Sequence, residues 1–201
     1  MRGLRNMNTS KEYWKNRYTE LETKLNVGMM HWYIQQSDID FQNKIRPYID
    51  GQQFDTVIDF GCGTGKNTEF LIDVFKARKY IGYDIVSSVL RFCRKKYLFG
   101  QFFNYKEGLR KSNVIWASFV LQHLDDCSIL MVLKDFYRSL KENGKLYIID
   151  CIDKGLGTDT MFYRNIYIHK DLFDDTGFTD SRIAYAWDMN GKQMALFEVC
   201  K

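Results

Sequence analysis

The stretch Val57-Ile58-Asp59-Phe60-Gly61-Cys62-Gly63-Thr64-Gly65-Lys66-Asn67-Thr68 decides the fold. Its first residues form a short, mostly apolar run closed by glycine, the pattern of a buried strand. Glycines then stand at alternate positions, Gly61, Gly63 and Gly65, before residues able to open a helix. A residue without Cβ accepts a left-handed backbone and lets another group approach the main chain, so the turn suits a ligand. Open α/β sheets bind nucleotide-like molecules at this place, beyond the carboxyl end of a first strand. The dinucleotide fingerprint G-x-G-x-x-G needs its third glycine at position 66, where Lys66 stands.

Downstream, strand and helix patterns alternate, which implies a parallel sheet with crossover helices. Strands are expected over 56–60, 79–83, 101–104, 113–117 and 145–150, and helices over 66–75, 87–97 and 128–140. Gly144 is the expected stop of the last helix. Residues 154–175 read as loop plus one helix. Asn190-Gly191 is a hairpin signal between strands over 182–187 and 193–199. Upstream, Thr9 or Ser10 caps a helix over 11–22, and a second helix covers about 38–48.

The 201 residues suit one domain, and the 45% hydrophobic content is that of a globular chain. No apolar run is long enough to cross a bilayer, and none follows the basic start Met1-Arg2-Gly3-Leu4-Arg5 as a secretory signal would. Five cysteines without C-x-x-C spacing imply free thiols in a reducing compartment, so a cytoplasmic location is expected. The net charge of +4 does not call for nucleic acid, and the basic helix residues Arg91, Arg94, Lys95 and Lys96 read as a solvated face.

Asp59-Phe60-Gly61-Cys62-Gly63-Thr64-Gly65, an acidic residue followed by G-x-G-x-G, resembles the first motif of the class I S-adenosylmethionine-dependent methyltransferases. The resemblance covers most of residues 11–151. It implies a three-layer αβα sandwich with a seven-stranded, mostly parallel sheet, strand seven inserted between five and six to make a C-terminal antiparallel hairpin. Residues 1–201 would be a single methyltransferase domain, with residues 1–50 a helical lid. Two branches of the family carry a proline-containing loop after the fourth strand, and no proline lies beyond Pro47 here.

By the same resemblance, the backbone from Gly61 through Cys62 and Gly63 to Gly65 wraps the methionyl part of S-adenosylmethionine, and Asp59 takes its ammonium group. Asp84, at the end of Tyr80-Ile81-Gly82-Tyr83-Asp84, is placed to accept hydrogen bonds from both ribose hydroxyls. Ile85 would line the adenine, and Asn104 with Tyr105 would follow the third strand to read it. Asn113–Asp126 looks like the fourth motif, with the strand end Ala117, Ser118 and Phe119 beneath the sulfonium and the transferred methyl. His123 in that run is the candidate general base.

Tyr13-Trp14-Lys15-Asn16-Arg17-Tyr18 resembles an N-terminal lid helix, in which Tyr13, Arg17 and Lys24 share a face and Arg17 meets the cofactor carboxylate. His31, Trp32 and Tyr33 would cover the pocket. Tyr163, Arg164 and His169 are candidate acceptor contacts. The resulting expectation is methyl transfer to an N, O or S atom of a small molecule, with no metal. The alternatives are a protein or RNA methyltransferase, or a cofactor-binding scaffold without turnover. An NAD-linked reductase lacks its third glycine and a separate catalytic domain.

Overall fold

The structure, a computed structural model, describes residues 12–19, 35–49, 53–152, 161–189 and 191–201. Every residue of strand β1, Thr56–Phe60, is buried, as a central strand covered on both faces must be. Around it β2 (Lys79–Asp84), β3 (Gln101–Asn104), β4 (Ser112–Ser118), β5 (Leu140–Cys151), β6 (Asp180–Met189) and β7 (Lys192–Cys200) form one sheet in the order β3-β2-β1-β4-β5-β7-β6. The first five strands are parallel, and β7 enters antiparallel between β5 and β6. This is the expected sandwich and the expected insertion.

Side chains alternate across each strand, so the sheet carries two cores. Val57, Tyr80, Trp116 and Tyr147 face one side with Leu71 and Val74 of helix α3 (Thr68–Val74) and Leu90 of α4 (Ser87–Lys96). Ile58, Ile81, Ile115 and Ile148 face the other with Val132 and Phe136 of α5 (Asp126–Ser139) and Phe173 of α6 (Ile166–Thr176). Each such fully buried side chain contributes roughly 1.5–3 kcal/mol of transfer free energy. Two helices precede the sheet: α1, over residues 12–19, and α2 (Gln36–Ile45), followed by a 3₁₀ turn at Arg46–Tyr48.

Local chemistry sets the helix ends. The Asp125 carboxylate accepts the Ser128 N–H at 2.8 Å to start α5, and the Asn165 side chain accepts the Ile168 N–H at 3.0 Å to start α6. Gly177, with φ +94°, ends α6 in a left-handed turn. At the end of α5 the structure differs from the expectation. β5 begins directly at Leu140, paired with Ser112, and a bulge follows. The left-handed residue there is Asn143, φ +56°, not Gly144. Gly144 is needed for space, since a Cβ on it would lie 2.8 Å from the Lys141 carbonyl oxygen.

Candidate active site

The carboxyl ends of β1, β2 and β4 open on a cavity of about 240 Å³. Gly61, the first residue of the turn after β1, lines it. Gly61 and Cys62 both donate their N–H to the Tyr83 carbonyl, at 2.8 and 2.9 Å, which ties the turn to the end of β2. Gly61 has φ +71°, and a Cβ there would lie 2.3 Å from Cγ2 of Val120. Glycine is therefore required twice over, by conformation and by the close approach of the β4 loop. Lys66, where a dinucleotide motif needs glycine, pairs with Asp38 of α2 at 2.9 Å, away from the cavity wall.

Asp84 stands at the end of β2, half-buried in the cavity wall. Its Oδ2 accepts the Gly63 N–H at 3.0 Å and its Oδ1 accepts the Val86 N–H at 2.8 Å. These bonds fix the carboxylate against the glycine turn and leave lone pairs for a ligand. Burial pushes its pKa up to about 6, against the lowering effect of the backbone donors. Ile85 and Tyr105 continue the wall beside it, and Ser118, Phe119 and Val120 form the opposite side after β4. Phe119 has φ +57°, a left-handed conformation rare for a bulky residue, and its N–H is held by the Ile149 carbonyl at 2.9 Å.

His123 sits in a 3₁₀ turn at Leu121–His123 and is itself largely buried. The Trp14 ring meets the imidazole edge-on at 4.9 Å between centroids, and Tyr13 stacks on it at 6.4 Å. Trp14 and Tyr18, one helical turn apart on α1, are the side chains that line the cavity. Tyr13 and Arg17 do not line it, so the face of α1 turned inward lies one residue along from the expected one. Burial, with the negative charge of Asp84 adding, lifts the Tyr18 phenol well above its ordinary pKa, so the hydroxyl stays a neutral donor.

Several expected residues stand behind the wall. Asp59 is buried on the far side of the turn, where its Oδ2 accepts the Tyr80 hydroxyl at 2.8 Å. Burial raises its pKa to about 7, the Tyr80 bond opposes that, and Asp84 adds to it. Cys62 is buried too, and its thiol pKa is raised by a hydrogen bond with Cys93 and by burial. Gly63, Gly65 and Ala117 do not line the cavity; Gly65 packs against Tyr97 and Ala117 is inside the core. Asn104 instead caps the turn that follows it, accepting the Lys106 N–H at 3.0 Å and donating to the Ile85 carbonyl at 3.3 Å.

The expected acceptor contacts are also elsewhere. Tyr163 bonds Met161 and Lys192, Arg164 is buried among backbone carbonyls, and His169 bonds Asp150 at 3.2 Å inside the core. Arg94 of the basic helix donates to the Phe102 carbonyl at 2.5 and 3.0 Å. Lys24, His31, Trp32, Tyr33 and Asn190 lie outside the described residues. Phe119, expected at the strand end by the cofactor, does line the wall, while sequence reasoning missed Trp14, Tyr18, Phe60 and Tyr83 as wall residues. Trp14 and Tyr18 carried the same one-turn spacing as Tyr13 and Arg17; the others read as ordinary core aromatics.

Among the described residues lining the cavity, Asp84 supplies the carboxylate and no Lys or Arg is present. No group of three or more His, Cys, Asp or Glu residues is placed to hold a metal ion among the described residues. A methyltransferase domain model matches residues 11–183. The chain belongs to the methyltransferase domain family. Its similarity to curated members of known activity is partial. It is 29% identical over 120 residues to caffeic acid 3-O-methyltransferase of Zinnia elegans, covering 58% of this chain and 33% of that protein. It is 24% identical over 138 residues to desmethyl-yatein O-methyltransferase of Sinopodophyllum hexandrum, covering 67% and 39%. The chain thus spans well under half the length of these relatives.

Solved structures share this methyltransferase-family fold. Human N-acetylserotonin methyltransferase, in complex with SAM, superposes with a TM-score of 0.65 at 17% identity, over 80% of this chain and 51% of that one. The YcgJ protein of Bacillus subtilis superposes with a TM-score of 0.64 at 10% identity, over 81% and 98%. Among the described residues no helix is long and apolar enough to cross a membrane.

Proposed function

We propose that this chain transfers a methyl group from S-adenosylmethionine to a small-molecule acceptor, with oxygen the acceptor atom its named relatives support best. The observation that carries the reading is the Asp84 carboxylate, pinned by the Gly63 and Val86 N–H groups in the wall of a cavity without lysine or arginine. Such a wall suits a donor bearing a positive sulfonium. What counts against a dinucleotide is Lys66, standing where that fingerprint needs its third glycine.

The residues present fit that cofactor. Asp84 has lone pairs for ribose hydroxyls, Gly61 brings main chain to the cavity wall, and Ile85 and Tyr105 offer apolar surface for a purine. When bound, the cofactor supplies a methyl group made electrophilic by its sulfonium. The chain's own work is to hold and to dry the site. Trp14 and Tyr18 close the cavity from α1, which excludes water from the reacting atoms. His123 faces the cavity from the β4 loop and takes the proton of an acceptor hydroxyl. Residues 1–201 then act as one methyltransferase domain in which α1 serves as the lid, while Ile45 and Ile49 of the expected lid are buried in the core. The five free cysteines fit a reducing, cytoplasmic setting.

The test is transfer of labelled methyl from the cofactor to a panel of small phenols, amines and thiols. Label is expected in a phenol. Binding of the cofactor with no label in any acceptor would overturn the catalytic reading in favour of a scaffold.

A further inference from the structure

Arg164 is 3% exposed, yet it lies beside the start of α5. A cation there opposes the helix dipole, so helix stabilisation does not account for it. Its guanidinium is instead spent on the loop between β4 and α5. Nη2 donates to the Leu124 carbonyl at 2.6 Å and to Asp126 Oδ1 at 2.9 Å. Nη1 donates to the carbonyls of Leu121 at 3.4 Å and Phe162 at 3.1 Å, and Nε to Asp126 Oδ1 at 3.3 Å. The Phe162 N–H takes the Gln122 carbonyl at 2.6 Å. Leu121, Gln122 and Leu124 carry main-chain acceptors of the turn that presents His123. Segment 162–164 satisfies all three.

We propose that Arg164 is a positioning residue that locks the β4–α5 loop, and so holds the His123 imidazole in the cavity wall against Trp14. The inference rests on the reading of the cavity as a methyl-transfer site. The planar fork is what the site requires: it serves two carbonyls of the loop and one of its own segment while its charge meets Asp126. A lysine offers a single point of charge and cannot span these acceptors. Loss of the fork takes the close 2.6 Å donor from the Leu124 carbonyl, while the Leu121 carbonyl keeps the Leu124 N–H, and the loop must shift to satisfy Leu124 again. The glycine turn and Asp84 lie on β1 and β2 and share no partner with Arg164.

The experiment compares Arg164→Lys with the unaltered chain by hydrogen exchange, by NMR and by calorimetry with S-adenosylhomocysteine. The amides of His123 and Leu124, which donate to the carbonyls of Val120 and Leu121 at 3.0 Å each, should lose protection about tenfold more than those of β1. The His123 ring resonance, assigned with His123→Asn among the chain's 3 histidines, should lose the ring-current shift imposed by Trp14. Affinity for S-adenosylhomocysteine should stay within about twofold, as for sites without shared partners.

Unchanged exchange at 123–124 together with an unmoved His123 resonance would overturn the proposal. If Arg164→Lys does not fold, Asp126→Asn decides instead. That carboxylate is on an 87% exposed side chain, and its loss should move the His123 resonance the same way by less. No movement there would equally overturn the proposal. Failure of the unaltered chain to bind S-adenosylhomocysteine would overturn the cofactor reading, while exchange and resonance still decide the lock.

Discussion

Replacing Asp84 by asparagine separates what the carboxylate does for the ligand from what it does for the fold. Both oxygens accept a main-chain N–H, from Gly63 at 3.0 Å and Val86 at 2.8 Å. An amide matches one of them and turns its NH₂ toward the other, which costs about 1–3 kcal/mol for an unmet donor. Against that, the carboxylate is itself uncomfortable: burial raises its pKa from 3.8 to about 6. Holding it ionised at pH 7 costs at most about 3 kcal/mol, and less because water in the cavity screens it. The two effects nearly cancel, so Asp84→Asn should shift Tm at pH 7 by no more than about 5 °C.

Binding has no such compensation. A hydrogen bond to a charged acceptor contributes about 1.5–3 kcal/mol, so S-adenosylhomocysteine should bind about ten- to a hundredfold more weakly. The unaltered chain should approach that weaker affinity as the pH falls below about 6, where Asp84 takes up a proton. Calorimetric titrations from pH 5 to 8, with thermal melts alongside, check both halves. Equal affinity of the two chains across that range would refute the reasoning.

Asp59, buried with a pKa of about 7 against 3.8 unfolded, gives a second pH effect. An acid whose folded pKa is raised contributes stability that is full below its unfolded pKa and is lost as the pH rises through the folded one. The unfolding free energy from urea titrations should therefore fall between pH 4 and 7, by on the order of 4 kcal/mol for this group, and Asp59→Asn should flatten the slope; an unaltered slope would contradict it. His123→Asn should lower kcat toward a phenol by about a hundredfold or more while leaving the affinity for S-adenosylhomocysteine within a few-fold. Equal loss in both would mean that His123 shapes the cofactor pocket instead.

The sequence made the sheet legible because its central strands are short apolar runs separated by glycine and helix-period segments. β1 and β3 have the expected bounds, and Asp84 stands at the end of β2 as read. The strand insertion came from resemblance, since nothing local in Gln193–Val199 says which neighbours it will pair with. The helical face of α1 was not legible. Tyr13 with Arg17 and Trp14 with Tyr18 have identical spacing, and packing over the glycine turn chooses the second pair. Asn143 shows the same limit: either Asn or Gly can take a left-handed turn, and the close approach of a carbonyl assigns the glycine elsewhere. Arg164 read as a candidate acceptor contact because a sequence does not show which loop carbonyls a buried guanidinium will serve.

The central claim is that an adenosyl cofactor occupies the cavity lined by Gly61 and Asp84. Isothermal calorimetry of the unaltered chain with S-adenosylhomocysteine at pH 7.5 tests it most directly. One-to-one binding is expected at micromolar concentrations, weakened by Asp84→Asn. No heat of binding up to millimolar ligand, from a chain shown to be folded, would contradict it.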